Sequence, residues 1–213
     1  MRNTWARAWL AATVLLIAAS AIARGRHSTL LEVEEPVMDW LLDGTDTSGW
    51  ERAATLSSPW LIIPGTILLV LGAVFVERKV AAAIVATSIF APLLTSFVAD
   101  IVERPAPEPS FAYSFPSAEI VQTGVFWGLV VLVMWWIGAP RLVWQIALEL
   151  AIVITLLVSI NLVVSGENWP SDVVGSAIVI AVALIPAAIV FEAFAPRVPW
   201  LEKSAPVEHS VPA

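Results

Sequence analysis

The chain has 213 residues, of which 59% are hydrophobic and 14% charged, and its formal net charge is −7. Soluble domains are about half apolar and about a quarter charged, so this composition excludes an ordinary soluble protein and predicts a membrane protein. The negative charge argues against nucleic acid as a partner. The chain has no cysteine, which excludes disulfides and thiolate chemistry.

Six apolar runs approach or reach the ~20 residues that a helix needs to cross a bilayer. They lie at about 8–23, 59–76, 80–99, 117–138, 143–163 and 172–194. The first run is short and has a basic start, a pattern that also fits a cleavable secretory signal, and we interpret it as the first span. Residues 1–194 are therefore predicted to form one all-α, polytopic domain of six transmembrane helices. A disordered cytoplasmic tail is expected at 195–213.

The cations predict the orientation of this bundle in a plasma membrane of bacterial type. With both termini in the cytoplasm, seven of the eleven cations fall inside, in agreement with the positive-inside rule. They are Arg2, Arg7, Arg78, Lys79, Arg141, Arg197 and Lys203. Most acidic residues then lie on the outer face.

Residues 28–57 form the one sizeable segment between predicted spans. Its apolar residues with helical spacing are Leu30, Val33, Val37 and Leu41. Gly44 is a candidate helix stop, and Ser48 with Glu51 forms a capping-box pattern for a second helix. We predict two short amphipathic helices within about 30–56, lying on the outer membrane surface or against the bundle.

A G-x-x-x-G pattern occurs in the fourth predicted span, at Gly124 and Gly128. Small residues at this spacing allow two helices to approach closely in a membrane. The pattern predicts a packing contact inside the bundle.

Three motifs adjoin the predicted spans. They are Arg104-Pro105-Ala106-Pro107, Phe115-Pro116-Ser117-Ala118-Glu119 and Asn168-Trp169-Pro170-Ser171-Asp172-Val173. Together they resemble the signature of the type 2 phosphatidic acid phosphatase (PAP2) superfamily, which reads in outline K-x6-RP, PSGH and SR-x5-H-x3-D. The resemblance covers about residues 30–194 and implies a six-helix membrane bundle with a phosphatase-like site on its outer face.

In that superfamily the histidine of the third motif attacks the phosphoryl group, and an aspartate four residues later orients it. The PSGH histidine is the general acid. The resemblance places the nucleophile on Asn168 and the orienting residue on Asp172. It places the general acid on Glu119, after the matching Ser117.

The phosphate-binding cations of the superfamily are also replaced. The Ser-Arg pair of the third motif falls on Asn161 and Leu162. In the first motif the arginine falls on Ala106 and the lysine on Ala99, while Arg104 matches an earlier, less essential arginine. A shifted alignment makes Arg104 the motif arginine and puts Phe97 at the lysine; in both alignments the lysine is absent.

The residues themselves argue against catalysis. An asparagine amide is neither nucleophilic nor titratable near neutral pH, and the only histidines are His27 and His209. Phosphoryl transfer needs cations around the developing charge, and the outer loops offer Arg104 against six acids. These acids are Asp100, Glu103, Glu108, Glu119, Glu167 and Asp172.

A divalent ion would reverse this electrostatic balance. The oxygen ligands of Glu119, Glu167 and Asp172 suit Ca²⁺ or Mg²⁺. The stronger explanation is that acids and hydroxyls in first helical turns stabilise helix N-termini. We expect no cofactor and keep these three residues as weak metal candidates.

The leading hypothesis is a non-catalytic PAP2-like protein that acts as an accessory or structural subunit of a larger membrane complex, or as a lipid-binding scaffold. Its expected partners are membrane lipids and unidentified membrane subunits, and Trp40, Leu41 and Leu42 form an alternative partner-binding face. The competing hypothesis is a lipid phosphate or polyprenyl diphosphate phosphatase with an altered, metal-assisted mechanism. A lipid or solute carrier ranks last, because no charge pair accompanies the prolines within the spans.

Overall fold

The computed structural model describes residues 2–25, 27–44, 55–107 and 113–195. Those residues form seven α-helices and no strand, apart from one isolated bridge between Pro105 and Tyr113. The helices are α1 (Arg2–Gly25), α2 (His27–Gly44), α3 (Pro59–Val76), α4 (Arg78–Val102), α5 (Ala118–Trp136), α6 (Arg141–Val164) and α7 (Pro170–Ala193). The predicted tail beyond residue 195 lies outside the described residues.

Six of these helices are long and apolar enough to cross a membrane, namely α1 and α3 to α7. This confirms the predicted all-α bundle of six spans. The helices extend past several predicted ends, because a helix continues beyond the apolar run wherever its terminal groups are satisfied. Glu77 is an example: it ends α3 and its carboxylate accepts a hydrogen bond from the Lys79 backbone N–H, 3.1 Å away, at the start of α4.

The core of the bundle forms around α7, which packs against α1, α4 and α5. The G-x-x-x-G pattern lies at one of these contacts, as predicted. A Cβ atom at Gly124 would overlap the Ile180 side chain, and one at Gly128 would overlap Leu184. The two glycines therefore set how closely α5 approaches α7.

The segment after the first span differs from its prediction. Its first part is a single helix, α2, which begins earlier than expected and ends at the predicted stop, Gly44. The second predicted helix lies outside the described residues.

The structure shows which residues of α2 face the bundle, a point that the prediction left open. Val33 and Val37, which belong to the apolar pattern of this segment, are 67% and 44% exposed. The buried face instead carries Glu34 and Met38, at 7% and 3% exposure. This orientation of α2 is set by two tertiary contacts, in which Met38 packs against Trp169 and Glu34 pairs with the buried Arg104.

The motifs meet where α4 and α6 end and where α5 and α7 begin. We call this the site end of the bundle. Two helix N-termini converge there, and each carries a partial positive charge and backbone N–H groups that have no acceptor within their own helix.

Candidate functional site

The loop after α4 brings the first motif into the bundle. Glu103 ends α4 in a left-handed conformation, with φ 50° and ψ 36°, which is uncommon for a residue other than glycine. The chain then runs antiparallel to the segment before α5, with the Ser114 backbone N–H donating to the Arg104 carbonyl at 3.0 Å. This turn directs the Arg104 side chain inwards.

Arg104 is the central cation of the site. The residue is 1% exposed. Its Nη1 donates to Asp172 Oδ1 at 2.7 Å and to Ser171 Oγ at 2.6 Å, and its Nη2 donates to Glu34 Oε2. The guanidinium also lies over the Trp169 ring, 5.5 Å from the centroid. Arg104 therefore belongs to the site whichever motif alignment is chosen.

Glu34 is a site residue that sequence reasoning missed. Its Oε2 accepts from Arg104, and its Oε1 accepts from the Ser171 backbone N–H in the first turn of α7, at 2.8 Å. The residue comes from α2, 70 positions before Arg104. Its sequence signal was weak, because Glu34 is one of several acids in α2 and only the rotation of the helix distinguishes it.

Asp172 contacts both the cation of the site and the backbone at the start of α7. Its Oδ1 accepts from Arg104, and its Oδ2 accepts from the Trp169 backbone N–H at 2.8 Å. Both carboxylate oxygens are thus engaged without Asn168. Asp172 thus neutralises Arg104 and caps α7, and its role in orienting the residue at position 168 stays a prediction from the resemblance.

Asn168 and Ser117 lie together, as the alignment of their motifs implies. Asn168 Nδ2 donates to Ser117 Oγ at 3.2 Å, and both residues are buried. The Ser117 backbone N–H donates to Ser176 Oγ at 2.9 Å, and Ser176 Oγ donates to the Asp172 carbonyl at 2.7 Å. The amide at the nucleophile position is therefore fixed in a network that joins α5 to α7.

Trp169 fills the space beside these residues. It is 7% exposed, packs against Met38 and Val163, and donates from Nε1 to the Pro105 carbonyl at 3.0 Å. Trp169 thus packs between α2 and the end of α6, and the Glu34 carboxylate contacts the Arg104 guanidinium.

Glu119 and Glu167 lie at the edge of the site. Glu119 is exposed and accepts a hydrogen bond from Ser57 Oγ at 3.2 Å. Burial raises the pKa of the Glu167 carboxyl, a hydrogen bond with Ser165 lowers it, and the charge of Glu119 raises it. Within the described residues no group of three or more Asp, Glu, His or Cys residues is arranged to hold a metal ion, so the three weak metal candidates do not form such a group.

The remaining motif positions supply no charge to the site. Ala106 is buried in the loop after α4, and Ala99 lies in the last turn of α4. Asn161 and Leu162 are buried near the end of α6, where the Leu162 carbonyl accepts the backbone N–H groups of Glu167 and Asn168 at 3.0 and 3.1 Å. The last two positions thus shape the loop that carries the third motif.

No protein-family model matches the sequence, and no curated protein matches it either. Among solved structures, the chain is similar to a transmembrane PAP2-type phosphatidylglycerolphosphate phosphatase from Bacillus subtilis. The two share 14% sequence identity with a TM-score of 0.69, over 93% of this chain and 98% of that one.

The fold and the meeting of the three motifs define a six-span membrane protein of the PAP2 architecture. The resemblance seen in the motifs is confirmed at the level of the fold. At 14% identity this likeness shows the fold alone.

Proposed function

We propose that this chain is a non-catalytic membrane protein that retains the PAP2 fold as a scaffold and acts as an accessory subunit of a larger membrane complex. The proposal rests on the ion pairs that Arg104 makes inside the protein. The cation in the site is paired with Glu34 and Asp172, so its charge is already compensated inside the protein.

The chemistry of the remaining site supports the same proposal. A covalent phosphoryl intermediate needs a nucleophile, and the residue at that position is Asn168, whose amide donates to Ser117. Stabilising the transferred phosphoryl group needs uncompensated positive charge. The position of the general acid holds Glu119, which is exposed and bonded to Ser57.

Membrane lipids are the other proposed partners. The helices α3, α4 and α5 border an apolar groove of about 440 Å³, which lies within the ~300–1,000 Å³ range of ligand sites. Thr66, Ser88 and Gln122 place three polar side chains among its apolar lining. Such a groove suits a lipid chain or the apolar face of a partner helix. The plasma membrane, cytoplasmic termini and an outward-facing site end remain part of the proposal.

The test is purification in a gentle detergent from native membranes, with the native mass and the identity of every co-purifying protein. The expected result is a reproducible complex of fixed stoichiometry. A lone monomer or homodimer carrying only lipid would contradict the accessory-subunit role.

The competing phosphatase function is tested on the same material. Phosphate release is measured from phosphatidate, a polyprenyl diphosphate and phosphatidylglycerolphosphate, with Mg²⁺, with Ca²⁺ and with a chelator. We expect no release under any condition. Release that requires a divalent ion and is lost in Glu119→Gln would establish the altered phosphatase instead.

A further inference from the structure

The start of α6 carries no buried residue. From Arg141 to Leu150 every residue is exposed or partly exposed, and Ala151 is the first buried one. A groove of about 290 Å³ lies beside this part of the helix, between α5, α6 and α7. We call it the α6 groove, and its lining includes Ile152 and Leu156 on α6, Gly124 and Gly128 on α5, and Leu184 on α7.

Two polar side chains lie on the groove side of α6. Gln145 and Glu149 are one helical turn apart, and Ile152 and Leu156 follow at helical spacing, so the four residues share a face. Glu149 is exposed and Gln145 is partly exposed. Neither side chain has a hydrogen bond or an ion pair within the described part of the chain.

Glu149 lies well inside the membrane. It follows Arg141 by eight residues, which is about 12 Å along the helix axis. Centred in a hydrocarbon core of ~30 Å, the 24-residue α6 places the Glu149 Cα roughly 9 Å inside the boundary. A glutamate side chain spans only about 5 Å and does not reach that boundary. A carboxylate facing lipid at this depth is costly, and such groups normally pair with another group.

We infer that the α6 groove receives a transmembrane helix of a partner subunit, and that this helix carries a lysine or arginine opposite Glu149. Charge complementarity selects this occupant, because a cation on the partner neutralises the carboxylate where no water is present. The amide of Gln145 adds a donor and an acceptor for a second interhelical hydrogen bond. The inference deepens the proposed accessory-subunit function and rests on it.

Two other occupants lack this chemistry. A phospholipid has its charged groups at the level of the headgroups and offers only hydrocarbon at the depth of Glu149. A second copy of this chain in a symmetric dimer presents the same face, so two Glu149 carboxylates would oppose each other. Both occupants are outcomes that the experiments below distinguish.

The first test is a competition for the partner. Each variant is co-produced with wild-type chain that carries a different tag, and the ratio of the two is measured in the purified complex. Glu149→Leu is expected to be about tenfold less abundant than the wild type, the change that about 1.4 kcal/mol of lost interhelical contact produces. Glu32→Gln, which removes an exposed carboxylate from α2, should be as abundant as the wild type. Equal abundance of Glu149→Leu and the wild type overturns the inference.

The unfolding temperature of the isolated protein separates a lost partner from a damaged fold. Glu149 makes no hydrogen bond or ion pair within the described residues, and leucine suits a position that faces lipid. The isolated Glu149→Leu protein should therefore unfold at the same temperature as the wild type or at a higher one. A lower unfolding temperature would mean that Glu149 supports the fold of its own chain, and it overturns the inference.

Cross-linking identifies the occupant with Glu149 in place. The chain has no cysteine, so Ile146→Cys and Val153→Cys each introduce a single thiol near Glu149 for a maleimide that carries a photoreactive group. Ile17→Cys, on the exposed side of α1, is the control and should not give the same product. The expected product joins α6 to a transmembrane segment of the co-purifying subunit that contains a lysine or arginine.

The partner found in this way allows a charge reversal. Glu149→Lys should weaken the complex, and changing the partner's cation to glutamate should restore it. A product with a second copy of this chain, with lipid alone or with a segment that has no cation overturns the inference. Each of these results leaves the accessory-subunit function intact, provided that the wild type co-purifies with another subunit; absence of any co-purifying subunit contradicts both.

Discussion

Glu34 and Arg104 form a buried ion pair across 70 residues of sequence, and the pair joins the surface helix α2 to the loop after α4. Asp172 completes the arrangement from the opposite side of the guanidinium at 2.7 Å. Two carboxylates therefore enclose the one cation of this ion-pair network. In a PAP2 fold this is the region where the three motifs meet, so the protein itself supplies the negative charge there.

Removing the central cation should destabilise the fold strongly. Arg104→Ala leaves Glu34 and Asp172 buried without their counter-charge, and breaking a buried pair in this way costs about 3–5 kcal/mol. Thermal unfolding of the purified protein measures the loss. The control is Arg141→Ala, which removes an exposed arginine at the start of α6 and should have little effect. Equal stability of the two variants would show that Arg104 is not a structural cation.

The contact between α5 and α7 should be sensitive to side-chain size. Gly124→Val places atoms where the Ile180 side chain lies, and overpacking of this kind costs about 1–3 kcal/mol. Gly72→Val is the matched control, because a Cβ atom at Gly72 meets nothing within 4 Å. The unfolding temperatures of both variants are measured in the same detergent, and Gly124→Val is expected to unfold at the lower temperature. An equal decrease at the two positions would contradict the close approach of α5 to α7.

The site should not regain hydrolysis through one substitution. Asn168→His restores a nucleophile, but Arg104 remains paired with Glu34 and Asp172 and no histidine stands at Glu119. We expect no release of phosphate from lipid phosphates by Asn168→His, and Asn168→Gln provides a matched background. Release by the histidine variant alone would mean that the nucleophile is the sole missing element.

Glu167 should make stability depend on pH. Burial is the main cause that raises the pKa of its carboxyl above the ordinary 4.5, so the folded state binds this proton more tightly than the unfolded state. Above the raised folded-state pKa the ionised carboxylate lowers the free energy of unfolding. This lost stability is regained as the pH falls through that pKa towards about 4.5.

Glu167→Gln is therefore expected to be more stable than the wild type near neutral pH, with the difference shrinking in acid. Unfolding temperatures measured across this pH range test the expectation. Ser165→Ala provides a second check, because it removes a hydrogen bond that lowers the Glu167 pKa. With that pKa raised further, this variant should gain more stability than the wild type as the pH falls. A difference between Glu167→Gln and the wild type that does not change with pH would contradict this account.

The part of the fold that could be predicted from sequence is local in origin. Each span is recognisable because its apolar run is long enough for a bilayer, and a helix satisfies its own backbone within one segment. The end of α2 at Gly44 was also predictable from local sequence, since a glycine after a helical pattern is a stop signal. The G-x-x-x-G contact was also predictable, although the sequence did not name α7 as the partner.

The site was predictable only in part. The motifs place Asn168 beside Ser117, and the structure brings these side chains into contact at 3.2 Å. The contacts of Asp172 could not be predicted, because the alignment names its position and not the groups that donate to its oxygens. Arg104 and the Trp169 backbone N–H take both of them.

By itself the sequence determined the six spans, the absence of a histidine or cysteine at the motif positions, and the resemblance that the fold confirms. These follow from residue identity and from the length of apolar runs. Only the tertiary structure decided which face of α2 is buried and which carboxylates enclose Arg104. Several acids in the chain carry the same charge, and packing and desolvation select among them when the helices assemble.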